Sequence, residues 1–469
     1  MKFITHLLSS ALKCALLAFA LLPSTDLQAQ WQPYTPVISD TVGTYDLRIA
    51  QGNNQIAWSI AMKYDATPVS YDPFYIDSIY YLKTADGGNT WSGGTIPMGP
   101  GPYASNICPV SNNTAWASGI DSNFASYVLR TTDGGATWTR QLEEGFTSPT
   151  SYIDFVHFWD DQNGIAVGDP AASDTHPDPF YEIYRTSDGG QNWSRVSSDD
   201  VPATPPNEYG VGGDYFVTGN HVWFPTFDAT VNVWTRLLHS ADRGATWTTT
   251  FAQTGNLSFA DSLHAIGTVF NPPNYVIRYT DDGWVTWTNL PAITGGDLTS
   301  IVLIPESYYI LAVMRNSIVS GPFRNMLSKD LGQSWTEIGN GAELIDNLQF
   351  ASPGIGYAGE WQSLEHPTRM YKYAGDPLVG LFSGLELDAQ VTLSPNPASD
   401  LLQVQIEVAE PAAFVLLLND MQGQLIERKV LEKTALGNAQ FNISQLPAGM
   451  YTLTVSSEKG HLTRPVSKQ

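Results

Sequence analysis

The stretch Thr84-Ala85-Asp86-Gly87-Gly88-Asn89-Thr90-Trp91 decides the fold, because its pattern returns five more times along the chain. The pattern is Ser or Thr, any residue, Asp, any residue, Gly, any residue, a polar or small residue, then Trp. Further copies carry Asp133 with Trp138, Asp188 with Trp193, Asp242 with Trp247, Asp282 with Trp287, and Asp330 with Trp335. Such a run makes a tight hairpin turn: Asp accepts hydrogen bonds from nearby backbone N–H groups, Gly supplies a positive φ, and Trp buries a large ring. Successive aspartates lie 47, 55, 54, 40 and 48 residues apart. That step is the length of one four-stranded blade of a β-propeller.

The intervals between copies read as strands. Tyr127-Val128-Leu129-Arg130, Tyr181-Glu182-Ile183-Tyr184-Arg185 and Tyr275-Val276-Ile277-Arg278 precede their turns with the period of two of a pleated surface. Upstream, a polar turn leads into a small and apolar strand, as in Asn54-Gln55-Ile56-Ala57-Trp58, Asn113-Thr114-Ala115-Trp116-Ala117 and Asn163-Gly164-Ile165-Ala166-Val167-Gly168. A seventh copy of this plan, Gly356-Tyr357-Ala358-Gly359 then Arg369-Met370-Tyr371-Lys372-Tyr373, lacks the turn motif. Its missing fourth strand is expected from Trp31-Gln32-Pro33-Tyr34, which would close the ring and remove its open edges. The motifs resemble the Asp-box repeats of sialidases, sortilin-like receptors, xyloglucanases and photosystem II assembly-factor-like propellers. That resemblance implies boxes at the blade periphery, joining third and fourth strands.

Composition bounds what such a protein does. Apolar residues make up 42% and aromatics 12% of 469 residues, ample for a packed β-rich core. The formal charge of -23 repels phosphate and anionic lipid, so nucleic acid is not an expected partner. Residues 1–29 read as a secretory signal peptide: Lys2, an apolar run around Cys14 to Leu22, and Ala29 at the cut. No later stretch reaches the length of a membrane span, so no transmembrane segment is expected. Cys108 is then the one cysteine of the mature chain, and no internal disulfide can form.

Beyond residues 30–376, the propeller, and a linker at 377–390, the composition changes: the Trp-bearing turns stop and four to seven short strands follow over 391–469. Ser394-Pro395-Asn396-Pro397, then Asn419-Asp420-Met421-Gln422-Gly423-Gln424-Leu425, then Leu446-Pro447-Ala448-Gly449-Met450-Tyr451 occur in that order. Together they resemble the type A sorting domain of the type IX secretion system. The resemblance marks Pro395, Asn396, Pro397, Gly423, Gly449 and Tyr451 as motif residues. It implies a small immunoglobulin-like β-sandwich, recognition by the type IX machinery, a Bacteroidetes source, and a protein released or held at the cell surface. Pro465 in the last strand departs from the family pattern, since Pro donates nothing to a ladder.

The expected fold class is therefore all-β, a seven-bladed β-propeller followed by that sandwich. Fold alone does not choose between binding and catalysis. A glycosidase needs two carboxyl groups across its substrate, and Asp154, Asp169, Glu208 and Glu360 are the candidates on inner strands or channel loops. A sialidase needs an arginine cluster, yet Leu47-Arg48-Ile49-Ala50 lacks the proline of the sialidase entry motif, and most arginines sit beside a turn motif as outer-strand charge. Asp174, His176 and Asp178 offer too few oxygen ligands for a hard cation, so neither metal nor cofactor is expected. The reading favours a glycan- or protein-binding propeller without catalysis, with a secreted glycoside hydrolase, sialidase-like or other, as the alternative.

Overall fold

In the computed structural model seven antiparallel sheets form a ring. The structure describes residues 31–469 apart from short stretches, chiefly 65–75, 147–150, 171–178, 316–322, 339–344, 361–367, 379–386 and 421–424. The segment read as a signal peptide, His176 with its neighbouring aspartates, and Gly423 lie outside the described residues. In the first blade the strands run Gly43–Ile49, Ala57–Tyr64, Ile76–Thr84 and Ser92–Ile96, paired in chain order from the axis outward. The next five blades repeat the plan. The seventh contributes Ile345–Ser352, Ile355–Glu360 and Met370–Tyr373, and its outer strand is Trp31–Tyr34, with Trp31 opposite Tyr373 and Tyr34 opposite Met370.

Each turn motif uses its first residue as much as its aspartate. Thr84 Oγ1 donates to Asp86 Oδ1 and accepts from Gly88 N–H, while the Asp86 carboxylate accepts the Thr90 N–H and hydroxyl. The same four contacts recur around Asp133, Asp188, Asp242, Asp282 and Asp330, with Asn192 Nδ2 replacing the hydroxyl at Asp188. These bonds favour the ionised form, and the Thr137 hydroxyl and N–H bring the Asp133 carboxyl down to about 2. The fifth copy departs from the pattern: Gly283 sits one place early, and Trp284 occupies the glycine position at φ 74° with its ring fully buried. A non-glycine residue there stores about 1 to 3 kcal/mol, offset by burial of the indole.

Neighbouring blades interlock at these turns. The motif tryptophan of one blade packs on the preceding blade: Trp138 lies 6.5 Å from Trp58 and 6.1 Å from Tyr81, and Trp91 lies 6.0 Å from Tyr357. Third-strand cations latch the following turn. Lys372 Nζ donates to Asn89, Lys83 Nζ to the Gly134 carbonyl, and Arg130 Nη1 to the Gly189 carbonyl. Lys83 and Arg130 also lie over the Trp58 and Trp116 rings. The expectation that motif-flanking arginines are simple surface charge is corrected for Arg130 and for Arg278, which sits over Trp287.

Among the described residues the C-terminal unit has five strands, two of them long rather than short. Leu401–Asp420 and Leu425–Asn442 form a hairpin whose register shifts between Glu407 and Phe414. Before the shift the first long strand pairs with Ala389–Ser394; after it, with Gly449–Ser457, which in turn holds Gly460–Lys468. The halves share one core of Leu402, Val404, Ile406, Phe414, Leu416, Phe441, Leu453 and Val455, each such side chain worth about 1.5 to 3 kcal/mol on burial. Pro465 sits without disruption in the last strand because that strand is a sheet edge, paired through Thr452 on one side. Asn396 explains its motif: its Nδ2 donates to the Pro465 carbonyl and its Oδ1 accepts the Ser467 N–H, pinning the final strand. Tyr451 Oη donates to the Pro447 carbonyl, closing the loop before its own strand.

Candidate functional site

Inner strands carry side chains into the axis, so the site is built from their sequence. Arg48, on the first inner strand, crosses the centre of the ring. Its Nε donates to Asp46 Oδ1 at 2.8 Å, and its Nη1 and Nη2 donate to the carbonyls of Tyr215 and Gly213 at 3.1 and 2.6 Å. The guanidinium also lies 4.2 Å from the Tyr215 ring centre. These partners exist because the fourth blade's inner strand is broken. Glu208–Gly210 and Phe216–Thr218 both pair with His221–Asp228, and residues 211–215 between them leave the sheet. Gly213 sits at φ 81°, and an added Cβ would lie 2.5 Å from the Ser105 carbonyl, so only glycine fits that approach.

Arg48 and Tyr215 stand between two cavities. The one where inner strands begin measures about 450 Å³ and is walled by Tyr45, Tyr103 and Trp234, with Asn256, Ser300 and Gln349 among its polar groups. The Tyr45 and Tyr103 hydroxyls are 2.5 Å apart. Among the described residues two carboxyl groups line it, Asp46 and Asp214, and neither was singled out from sequence. Asp46 is fully engaged: Oδ1 takes Arg48 Nε and Oδ2 takes the Ile107 N–H at 2.9 Å. Asp214 is half-buried, and burial pushes its carboxyl up to about 6, Arg48 opposing and Asp46 adding to the shift. The other cavity, about 440 Å³, opens where inner strands end and is partly walled by Val415, Leu417 and Arg428 of the C-terminal unit. Arg428 Nη2 stands 3.7 Å from Asp261 there.

The four candidate carboxylates line neither cavity. Asp154 and Asp169 do come together, meeting at Gly210: Asp169 Oδ1 accepts its N–H at 2.8 Å, and a Cβ there would lie 1.9 Å from Asp154 Oδ2. Both are buried, and Asp154 Oδ2 has no hydrogen-bond partner. Burial, reinforced by the Asp169 charge, holds Asp154 well above the usual carboxylate range, and burial pushes Asp169 up to about 7. Glu208 is held by Arg236, whose Nη2 and Nε donate to it at 2.5 and 2.9 Å, and by the Tyr181 hydroxyl. Glu360 lies in the seventh blade, fully buried, accepting the Arg369 N–H at 2.8 Å. Among the described residues no group of three His, Cys, Asp or Glu is placed to hold a metal.

Fold and site together define a propeller with a polar, aromatic-walled mouth. Its C-terminal unit matches the family described as secretion system C-terminal sorting domain over residues 392–469. The chain is accordingly a type IX secretion cargo, delivered to the cell surface or beyond it, and no helix among the described residues is long and apolar enough to cross a membrane. No curated protein matches the sequence. Among solved structures, YCF48 bound to D1 peptide is 16% identical with a TM-score of 0.50, covering 74% of this chain and 97% of its own. YCF48 from Cyanidioschyzon merolae is 13% identical at 0.49, covering 73% and 98%. The Trypanosoma rangeli sialidase with 2,3-difluorosialic acid is 10% identical at 0.41, covering 91% and 83%. The first of these, at a TM-score of 0.50, supports the propeller fold that the seven sheets form.

Proposed function

We propose that the chain is an extracellular binding protein that takes a glycan or protein ligand into the mouth where its inner strands begin, without catalysis. One observation carries this reading: of the two carboxyl groups in that mouth, Asp46 has both oxygens committed to Arg48 and Ile107. A glycosidase needs two carboxyl groups free to act on one bond, and Asp214 alone is left. Aromatic walls and uncommitted amide and hydroxyl groups are what a recognition pocket needs. The opposite mouth is partly covered by the sorting unit, which leaves this one for a ligand. The similar YCF48 propeller was solved with a D1 peptide bound, so a peptide ligand stands beside a glycan.

The test is a combined glycan and peptide array with a panel of chromogenic glycosides, run on the full chain. Binding without turnover is expected, weakened about tenfold by Trp234→Ala, which removes one aromatic wall. Turnover that disappears in Asp214→Asn would make the protein a glycoside hydrolase.

A further inference from the structure

We propose that the mouth cavity is specific for a primary alkylammonium group, of the kind a lysine side chain carries, with Asp214 as its counter-ion. This rests on the binding reading above and names the chemistry of the ligand. Charge decides first. Among the described residues the charged groups lining the cavity are Asp46, Arg48 and Asp214, and Asp46 and Arg48 neutralise one another at 2.8 Å. The three together keep a single net negative charge, and Asp214 is the carboxylate that Arg48 does not hydrogen-bond. No protein donor among the described residues hydrogen-bonds its carboxylate, although its own N–H closes a turn onto the Val211 carbonyl. A half-buried carboxylate without a donor is under-solvated, and a ligand cation that donates to it recovers that cost.

Shape and hydrogen bonding choose among cations. Tyr45, Tyr103 and Trp234 present ring surface, and Leu257, Ile301 and Leu348 add apolar wall. A four-carbon stem packs on such walls while its charged end stays at the polar group. The ammonium has three protons to place. One goes to Asp214, and the Tyr45–Tyr103 hydroxyl pair and the Ser300 hydroxyl offer acceptors for the others. A quaternary ammonium has no proton for the carboxylate. A sugar ring bearing an amine lacks the slim stem that the apolar walls fit.

The experiment is calorimetric titration of the full chain with Nα-acetyl-lysine methylamide, its Nε-acetylated neutral analogue, and glucosamine, with Asp214→Asn in parallel. The lysine amide is expected to bind, and both Nε-acetylation and Asp214→Asn should weaken binding about tenfold or more. Affinity should also fall as pH drops below about 6, where Asp214 takes a proton. The titratable groups facing Asp214 are Tyr45, Asp46 and Arg48 on the first inner strand and Tyr103 on the second, and of these only Asp46, held by Arg48, is a second acid. Equal binding of the neutral analogue, a preference for glucosamine, or unchanged binding by Asp214→Asn would overturn the proposal. The neutral analogue is read on the wild-type chain, so the result does not depend on the variant folding. Array ligands bound in the mouth with no response to the lysine amide would overturn this inference alone; no ligand of any kind would overturn the binding reading as well.

Discussion

At Gly210 one backbone N–H and two buried carboxyl groups share a space. Asp154 and Asp169 cannot both ionise there at small cost, so the folded protein keeps a proton that the unfolded chain releases near pH 4. The sign follows from linkage. With the folded state binding more protons than the unfolded state between about pH 4 and 7, stability falls as pH rises through that window. Asp154→Asn removes one of the two charges and lends its amide as a donor. It is expected to raise stability by roughly 1 to 3 kcal/mol at pH 8 and to flatten the pH dependence, read from urea unfolding at several pH values. A variant less stable at pH 8 would show that the pair is not strained. The turn carboxylates act in the opposite sense: Asp133 and Asp188, brought down to about 2 by bonds from Thr137 and Asn192, lose their contribution only as pH falls below about 4. The sequence offered both as acids on inner strands or channel loops; Asp154 lies on the first strand of its blade and Asp169 on the second, and their burial was not legible. The strand Glu208–Gly210 of the next blade closes over them through Gly210, and nothing in Asp154 or Asp169 announces that neighbour.

Strands and turns were the most legible scale. A turn motif repeated at blade-length intervals fixes strand order, and the absence of a seventh copy pointed to the N-terminal strand as the piece that closes the ring. Trp31 anchors that closure, 2% exposed and packed edge-on against Phe350 at 5.9 Å and Tyr373 at 5.5 Å. Trp31→Ala is expected to cost about 3 to 5 kcal/mol and to promote association through the edge of Met370–Tyr373. Denaturant midpoints with light scattering check both effects; a variant that stays monomeric and loses less than about 1 kcal/mol would mean that closure is not what stabilises the ring. Other elements escaped the sequence reading for definite reasons. The broken inner strand of the fourth blade reads as a plain loop, although Gly210-Val211-Gly212-Gly213 was a usable signal of close backbone approach. The long C-terminal hairpin reads as several short strands because Pro411 and the alanines Ala409, Ala412 and Ala413 interrupt the alternation where the strand shifts register. Trp284 hid its positive φ because its neighbour Gly283 appeared to satisfy the motif.

The whole molecule joins an export signal to a β-propeller. The sorting unit lies toward the end of the ring that carries the turn motifs, and the opposite mouth gathers residues from the first, second, fourth, fifth, sixth and seventh blades. Arg48 ties the first blade to the insertion of the fourth across the axis, so the floor of that mouth is rigid before any ligand arrives. This assembly is the part least visible in sequence. Arg48, Tyr45, Tyr103 and Asp214 are scattered over about 170 residues of chain, and only ring closure brings them together. The most direct test is hydrogen–deuterium exchange of the full chain with and without the ligand selected on the array. Protection confined to the starts of the inner strands, at Tyr45, Tyr103, residues 211–216 and Asn256, is the predicted result. Protection instead around Asp261, His264 and Tyr308 at the opposite mouth, or along the outer strands, would contradict the placement of the binding site.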